Sequence, residues 1–235
     1  MMNYSQFDTA SMDADDSSDA QPSEAVLQQE LTALQTQLDQ LPPSTTAVQR
    51  ASLLLDIGYL QLQLQRRTEA WWIGQEAFLS FVSAEMWENA AQTCDLMFLT
   101  EQTHSLIALA NGIWLAVTFP VDPEITLNLL NHLIEEMPDD SDGAAIAATV
   151  AHYIVDLRAT EHDHENLSFF TNQLLAQVAR QHSQIEDQAG FTAWFKKLEL
   201  DQPDQFLPRL AQILDILVQG EWWIDRAALR AKLPD

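Results

Sequence analysis

The densest run of ligand-type side chains in the chain is His162-Asp163-His164-Glu165, with His152 and Asp156 a short way upstream. Imidazole and carboxylate are donors that divalent metals take, provided they converge on one point. Adjacent side chains on a loop or at a helix start diverge. A metal-dependent factor or enzyme would therefore have to combine His152, His162 and His164, with His152 or Asp156 swinging in. The competing reading is an acidic helix start after a loop, where carboxylates suit the positive end of the helix dipole. On that reading no cofactor is expected. Other reactive patterns are missing: there is no glycine-rich phosphate loop, G-x-S-x-G, H-E-x-x-H or C-x-x-C. Nothing in the spacing of Ser, His and acid residues suggests a triad. Cys94 is the only cysteine, so no intrachain disulfide can form, and its apolar helical setting predicts a packed rather than a reactive thiol. The expectation is a binding protein, not an enzyme.

Charge says more about the partner. The chain carries 35 acids against 11 bases, a formal net charge of -24. Nucleic acid is a poor partner, because phosphate contacts need Lys and Arg. From Thr68 to Leu157 there is no Lys or Arg at all, while most bases come later, from Arg180 to Lys232. The acids at expected helix starts in that span are Glu69, Glu85, Glu88, Asp122 and Glu124. Such a face either keeps the protein soluble or docks a basic segment of a protein client. Tryptophan supplies the other candidate contacts. Trp71 and Trp72 point about 100° apart on a helix, so they cannot share one narrow contact. Trp222 and Trp223 follow Gly220 near the end of the chain, where they either close the core or meet a partner.

The elements that must position these residues read as helices throughout. Apolar residues make up 47% of the chain, helix formers dominate, and no segment alternates as a strand would. Residues 1–22 are acidic and Ser-rich, which predicts a disordered tail. Residues 23–41 form an amphipathic helix with Leu27, Leu31, Leu34, Leu38 and Leu41 on one stripe, ended by Pro42-Pro43. Residues 47–235 then form one helical repeat domain of about five helix pairs. Breaks at 66–68, 83–85, 100–103, 119–123, 138–143, 160–164, 187–190, 201–204 and Gly220 give a pair roughly every forty residues, a helix-pair solenoid period. Asp122-Pro123-Glu124 is a cap, an N1 proline and a dipole-matched acid in order. The stretch from Ser105 to Val121 is uncharged, but Asn111, Gly112 and Pro120 interrupt it. It suits a central core helix better than a membrane span. The first twenty residues hold no base and no apolar stretch of the signal-peptide kind, and with the single cysteine this points to the cytoplasm.

Two resemblances follow. Ala51 to Phe78, with Gly58, Ala70 and Ala77 around a polar break at Arg66-Arg67-Thr68, resembles one tetratricopeptide helix hairpin. That implies a right-handed solenoid of helix hairpins and a protein-interaction role, as an adaptor or assembly chaperone. A departure is Gln61, which stands where the family carries an aromatic, with Tyr59 out of register. The segment Glu161-His162-Asp163-His164 ahead of Leu167 and Phe169-Phe170 resembles the motif of the acidic helical chaperones that mature molybdoenzymes, with His162 in place of their proline. The remaining alternative is a structural subunit of a larger complex.

Overall fold

The structure is a computed structural model that describes residues 23–233; the expected acidic tail, 1–22, lies outside the described residues. Among the described residues the protein is all-α, with eleven helices, no strand, and packing mainly between neighbours in sequence. It falls into two compact units, Met1–Ser105 and Leu106–Asp235. The first helix joins the first unit, and the stretch expected as one repeat domain, 47–235, is shared between the two.

The first unit holds α1 (Glu24–Asp39), α2 (Ala47–Gln63), α3 (Arg67–Ser83) and α4 (Trp87–Leu99). Ser23 starts α1 by accepting from the Val26 amide at 3.4 Å. Leu27 and Leu31 then bury against Ile57 and Leu60 of α2, with Leu34 and Leu38 covering the edge. The leucine stripe is thus consumed inside the unit. Thr46 and Gln49 build a capping box at the start of α2, each side chain serving the other's backbone amide.

Small residues decide where α4 can lie. A Cβ on Gly58 would stand 2.5 Å from Leu96 Cδ2, and one on Gly74 would stand 2.6 Å from Met97 Cγ. Adjacent residues of α4 therefore press onto bare backbone of α2 and α3. Ala51, Ala70 and Ala77 are fully buried on the same faces. The close approach lets dispersion contacts accumulate between backbones as well as side chains.

The turns that join these helices share one design. After α2, the Arg66 amide donates to the Gln61 carbonyl (2.8 Å) and Gln65 to Leu62 (2.9 Å). After α3, Met86 donates to Phe81 (2.9 Å) and Glu85 to Val82 (3.2 Å). This is the Schellman closure, which needs a left-handed residue just past the helix. Glycine usually fills it. Here Gln65 has φ 59° and Glu85 φ 57°, and Glu101, Gln184, Glu199 and Gln219 are left-handed at other helix ends.

The second unit begins with the bulk of α5 (Ser105–Thr118) and continues with α6 (Pro123–Glu136), α7 (Asp142–Arg158), α8 (His164–Ser183), α9 (Gln188–Lys197), α10 (Pro203–Val218) and the short α11 (Arg226–Arg230). Asp122 caps α6 by accepting from the Glu124 amide at 2.8 Å, with Pro123 at N1. Ser141 caps α7 by accepting from Gly143 at 3.0 Å. α7 packs against α6, α8 and α10, which is why Ala144 to Ala148, Val150 and Ala151 are all buried. α5 buries Ala108, Leu109, Ala110, Ile113, Leu115 and Ala116 completely, so it is a core helix. No helix among the described residues is long and apolar enough to cross a membrane.

A left-handed L-residue costs about 1–2 kcal/mol, which glycine largely escapes. Gln65→Gly should therefore raise the denaturation midpoint by the equivalent of a few tenths to about 1 kcal/mol, glycine's unfolded-state entropy offsetting part of the relief. Urea titration followed by circular dichroism reads the change. A lowered midpoint would mean that the Gln65 side chain contributes more than its backbone costs.

Candidate functional site

The histidine region divides on inspection. His152 lies one turn before Asp156 on α7, and His164 opens α8. Asp156 lies between both rings, with Oδ1 3.2 Å from His164 Nε2 and Oδ2 3.6 Å from His152 Nε2. Each ring uses its other nitrogen on a hydroxyl: His152 Nδ1 lies 2.8 Å from Thr171 Oγ1, and His164 Nδ1 lies 3.3 Å from Ser168 Oγ. No swing of the chain is needed to bring His152, Asp156 and His164 together, but His162 is exposed and takes no part. Among the described residues no group of three or more His, Cys, Asp or Glu could hold a metal ion. The arrangement fastens the end of α7 to the first turns of α8.

A second polar cluster had no signal in the sequence. Asp142, first in α7, receives His182 Nε2 on Oδ1 at 3.0 Å and Arg209 Nη2 on Oδ2 at 3.1 Å. The Trp194 indole N–H donates to His182 Nδ1 at 3.1 Å. An indole nitrogen only donates, so Nδ1 accepts and Nε2 carries the proton toward Asp142. Arg209 also donates to the Leu198 carbonyl at 2.6 Å, closing the end of α9. Ser183 Oγ lies 2.6 Å from the same Nδ1. Asp142, His182 and Ser183 thus stand in the order of a hydrolase triad. The lone pair that would take a serine proton already accepts from Trp194. The cluster joins α7, α8, α9 and α10.

Arg158 ends α7 and reaches back to the end of α5. Its guanidinium donates to the carbonyls of Ala116 (2.7 Å), Val117 (2.8 Å) and Val121 (3.4 Å). Burial holds its pKa below the usual arginine range. Arg158 is the first base after the base-free span, and its hydrogen bonds go to the interior of its own unit.

The tryptophans separate in the same way. Trp71 is buried (6% exposed), whereas Trp72 is 64% exposed. Trp222 and Trp223 are half-buried. The Trp222 indole donates to Asp215 Oδ1 at 3.0 Å, and the Arg226 guanidinium lies 3.9 Å over its ring while pairing with Asp215 at 2.7 Å. The Trp223 amide donates to Oδ1 of the fully buried Asn111 at 3.3 Å. These contacts secure the C-terminal segment to α10 and α5.

Of the candidate acids, Glu69 and Glu88 sit in the first turns of α3 and α4 and are exposed. Glu85 is exposed at the left-handed turn position. These three belong to the first unit. Asp122 and Glu124 belong to the second, where Asp122 is the α6 cap and Glu124 is half-buried. Cys94 is fully buried, and desolvation together with Asp95 pushes its thiol pKa well up, which keeps it protonated and inert. Compared with protein-family models, curated proteins and solved structures, the chain matches none.

Two measurements check these assignments. Zinc at about 100 µM should leave the melting temperature unchanged, since a native site of about micromolar affinity would add about 2.7 kcal/mol by linkage; a clear rise that His164→Ala removes would reinstate the metal reading. Arg158→Ala should lower stability by about 1–3 kcal/mol by leaving the α5 carbonyls without their donor, and an unchanged melt would show that water replaces the guanidinium.

Proposed function

We propose that the protein is an interaction module that holds a basic client protein, as an adaptor or an assembly chaperone. The observation that carries the reading is the base-free span from Thr68 to Leu157. The bases that border it are turned to internal duties: Arg67 pairs with Glu101, and Arg158 caps α5. Carboxylates at helix starts and turns of that span, Glu69, Glu85 and Glu88 among them, stand exposed. On the first unit, whose only Lys or Arg residues are Arg50, Arg66 and Arg67, these three carboxylates offer attraction to a partner rich in Lys or Arg. Such complementarity acts on encounter rate and on choice of partner more than on raw affinity. The resemblance of residues 51–78 to an interaction hairpin supports the same reading. The burial of the Cys94 thiol and the Trp194 indole on Nδ1 of His182 support reading the chain as a binding protein.

The expected behaviour follows from screening. Binding to a client recovered at low salt should weaken steeply between about 50 and 300 mM salt, where the Debye length falls below about 10 Å. Glu85→Lys with Glu88→Lys should slow association while leaving the melt within a few tenths of a kcal/mol, because exposed charges contribute little to folding. Stopped-flow rates for both forms at both salt levels decide the matter. Equal rates with no salt effect would reduce the acidic surface to a solubility device.

A further inference from the structure

The outer face of α3 combines apolar exposure with negative charge. The inner face of that helix buries Ala70, Trp71, Gly74, Ala77, Phe78 and Phe81. The opposite stripe, three and four residues apart, reads Glu69, Trp72, Glu76 and Leu79. All four are exposed, and Trp72 and Leu79 are each 64% exposed. Seven residues at 1.5 Å per residue place these two apolar side chains about 10 Å apart along one line. A tryptophan presented to water offers a large apolar area at low entropy cost, the property of an interface anchor. The charge beside it selects the occupant. The first unit has only three bases, Arg50, Arg66 and Arg67. Arg66 donates to Gln28 and Arg67 pairs with Glu101, both away from this stripe. Arg50 reaches Glu76 at 3.4 Å, but both side chains are about half exposed, so the pair is weak and exchangeable.

Resting on the basic-client reading above, we propose that the Glu69–Leu79 stripe of α3 docks an amphipathic helix of the client, with two apolar anchors about two turns apart and Lys or Arg flanking them. Trp72 and Leu79 take the anchors. Glu69 takes one flanking cation, and Glu76 takes another in exchange for Arg50.

The test uses the full chain and two labelled synthetic helices of about eighteen residues, or five turns. One carries leucine on one face and lysine on the other; the second has glutamate in place of every lysine. Fluorescence anisotropy at low salt should show the lysine peptide bound and the glutamate peptide free. Trp72→Ala with Leu79→Ala should weaken binding tenfold or more, and Glu69→Lys should weaken it as well, each with an unchanged melt. Ile216→Ala, which trims an apolar side chain 72% exposed on α10, should bind as the unaltered chain does. If the lysine peptide binds all forms alike, the α3 assignment is wrong while the basic-client reading stands. Equal binding of both peptides overturns the basic-client reading itself. If neither peptide binds, α3 is not a helix dock, and the salt and charge-reversal rates still judge the wider reading. Concentration-dependent self-association that Trp72→Ala abolishes would overturn the proposal by making a second copy the occupant.

Discussion

Every α-helix leaves four carbonyls at its end without a helical donor, and a chain of short helices meets that demand again and again. In this protein the way each end is closed decides where the next helix can begin. Gln65 and Glu85 accept a left-handed backbone so that two amides can turn back onto the preceding helix. Side chains close other ends: Arg158 closes α5 from a helix two elements later, and at α9 Arg209 donates to Leu198 in addition to the left-handed closure at Glu199. Asp142 holds Arg209 and His182 together, so closing one helix end also fixes the packing of three others.

Packing inside the units follows from these fixed entries. With the α2–α3 and α3–α4 turns set, α4 arrives where Gly58 and Gly74 expose backbone, and Leu96 and Met97 fill the space. In the second unit the alanines of α7 serve the same end against three neighbouring helices. The leucines of α1 are absorbed by α2. On α3 the packing leaves outward Trp72 of the adjacent pair, together with Leu79, Glu69 and Glu76.

Much of this was legible because helix starts carry chemical marks. Asp122-Pro123 announces α6, and Asp122 acts as its cap; ahead of α7 the run Asp139-Asp140-Ser141-Asp142 holds several cap-type residues, of which Ser141 accepts from the Gly143 amide. Helix ends were harder, because the usual mark is glycine and the chain uses Glu and Gln. The breaks were still placed within a few residues, since the apolar period lapses there. Helical geometry separated Trp71 from Trp72, and the companions of Trp71 at Gly74 and Phe78 explain why it is the one that faces inward. The site clusters were not legible to the same degree. The contacts of Asp142 with His182 and Arg209 join residues 40 and 67 positions apart, and no local pattern encodes them. Likewise His162 stood in the densest polar run and remains outside the contacts of its neighbours, because adjacent side chains diverge.

The internal employment of Arg158 has a further consequence for protease cleavage. Trypsin cuts after Lys and Arg, and between Arg67 and Arg158 the chain offers it nothing. Arg158 is also bound to two backbone carbonyls at the end of α5 and to that of Val121 just beyond it. Cleavage there requires the guanidinium to leave those carbonyls, so its rate reports how often the α5–α7 junction opens rather than how often the whole chain unfolds. The same arginine that fastens two helices is thus a natural clock for the opening of its unit.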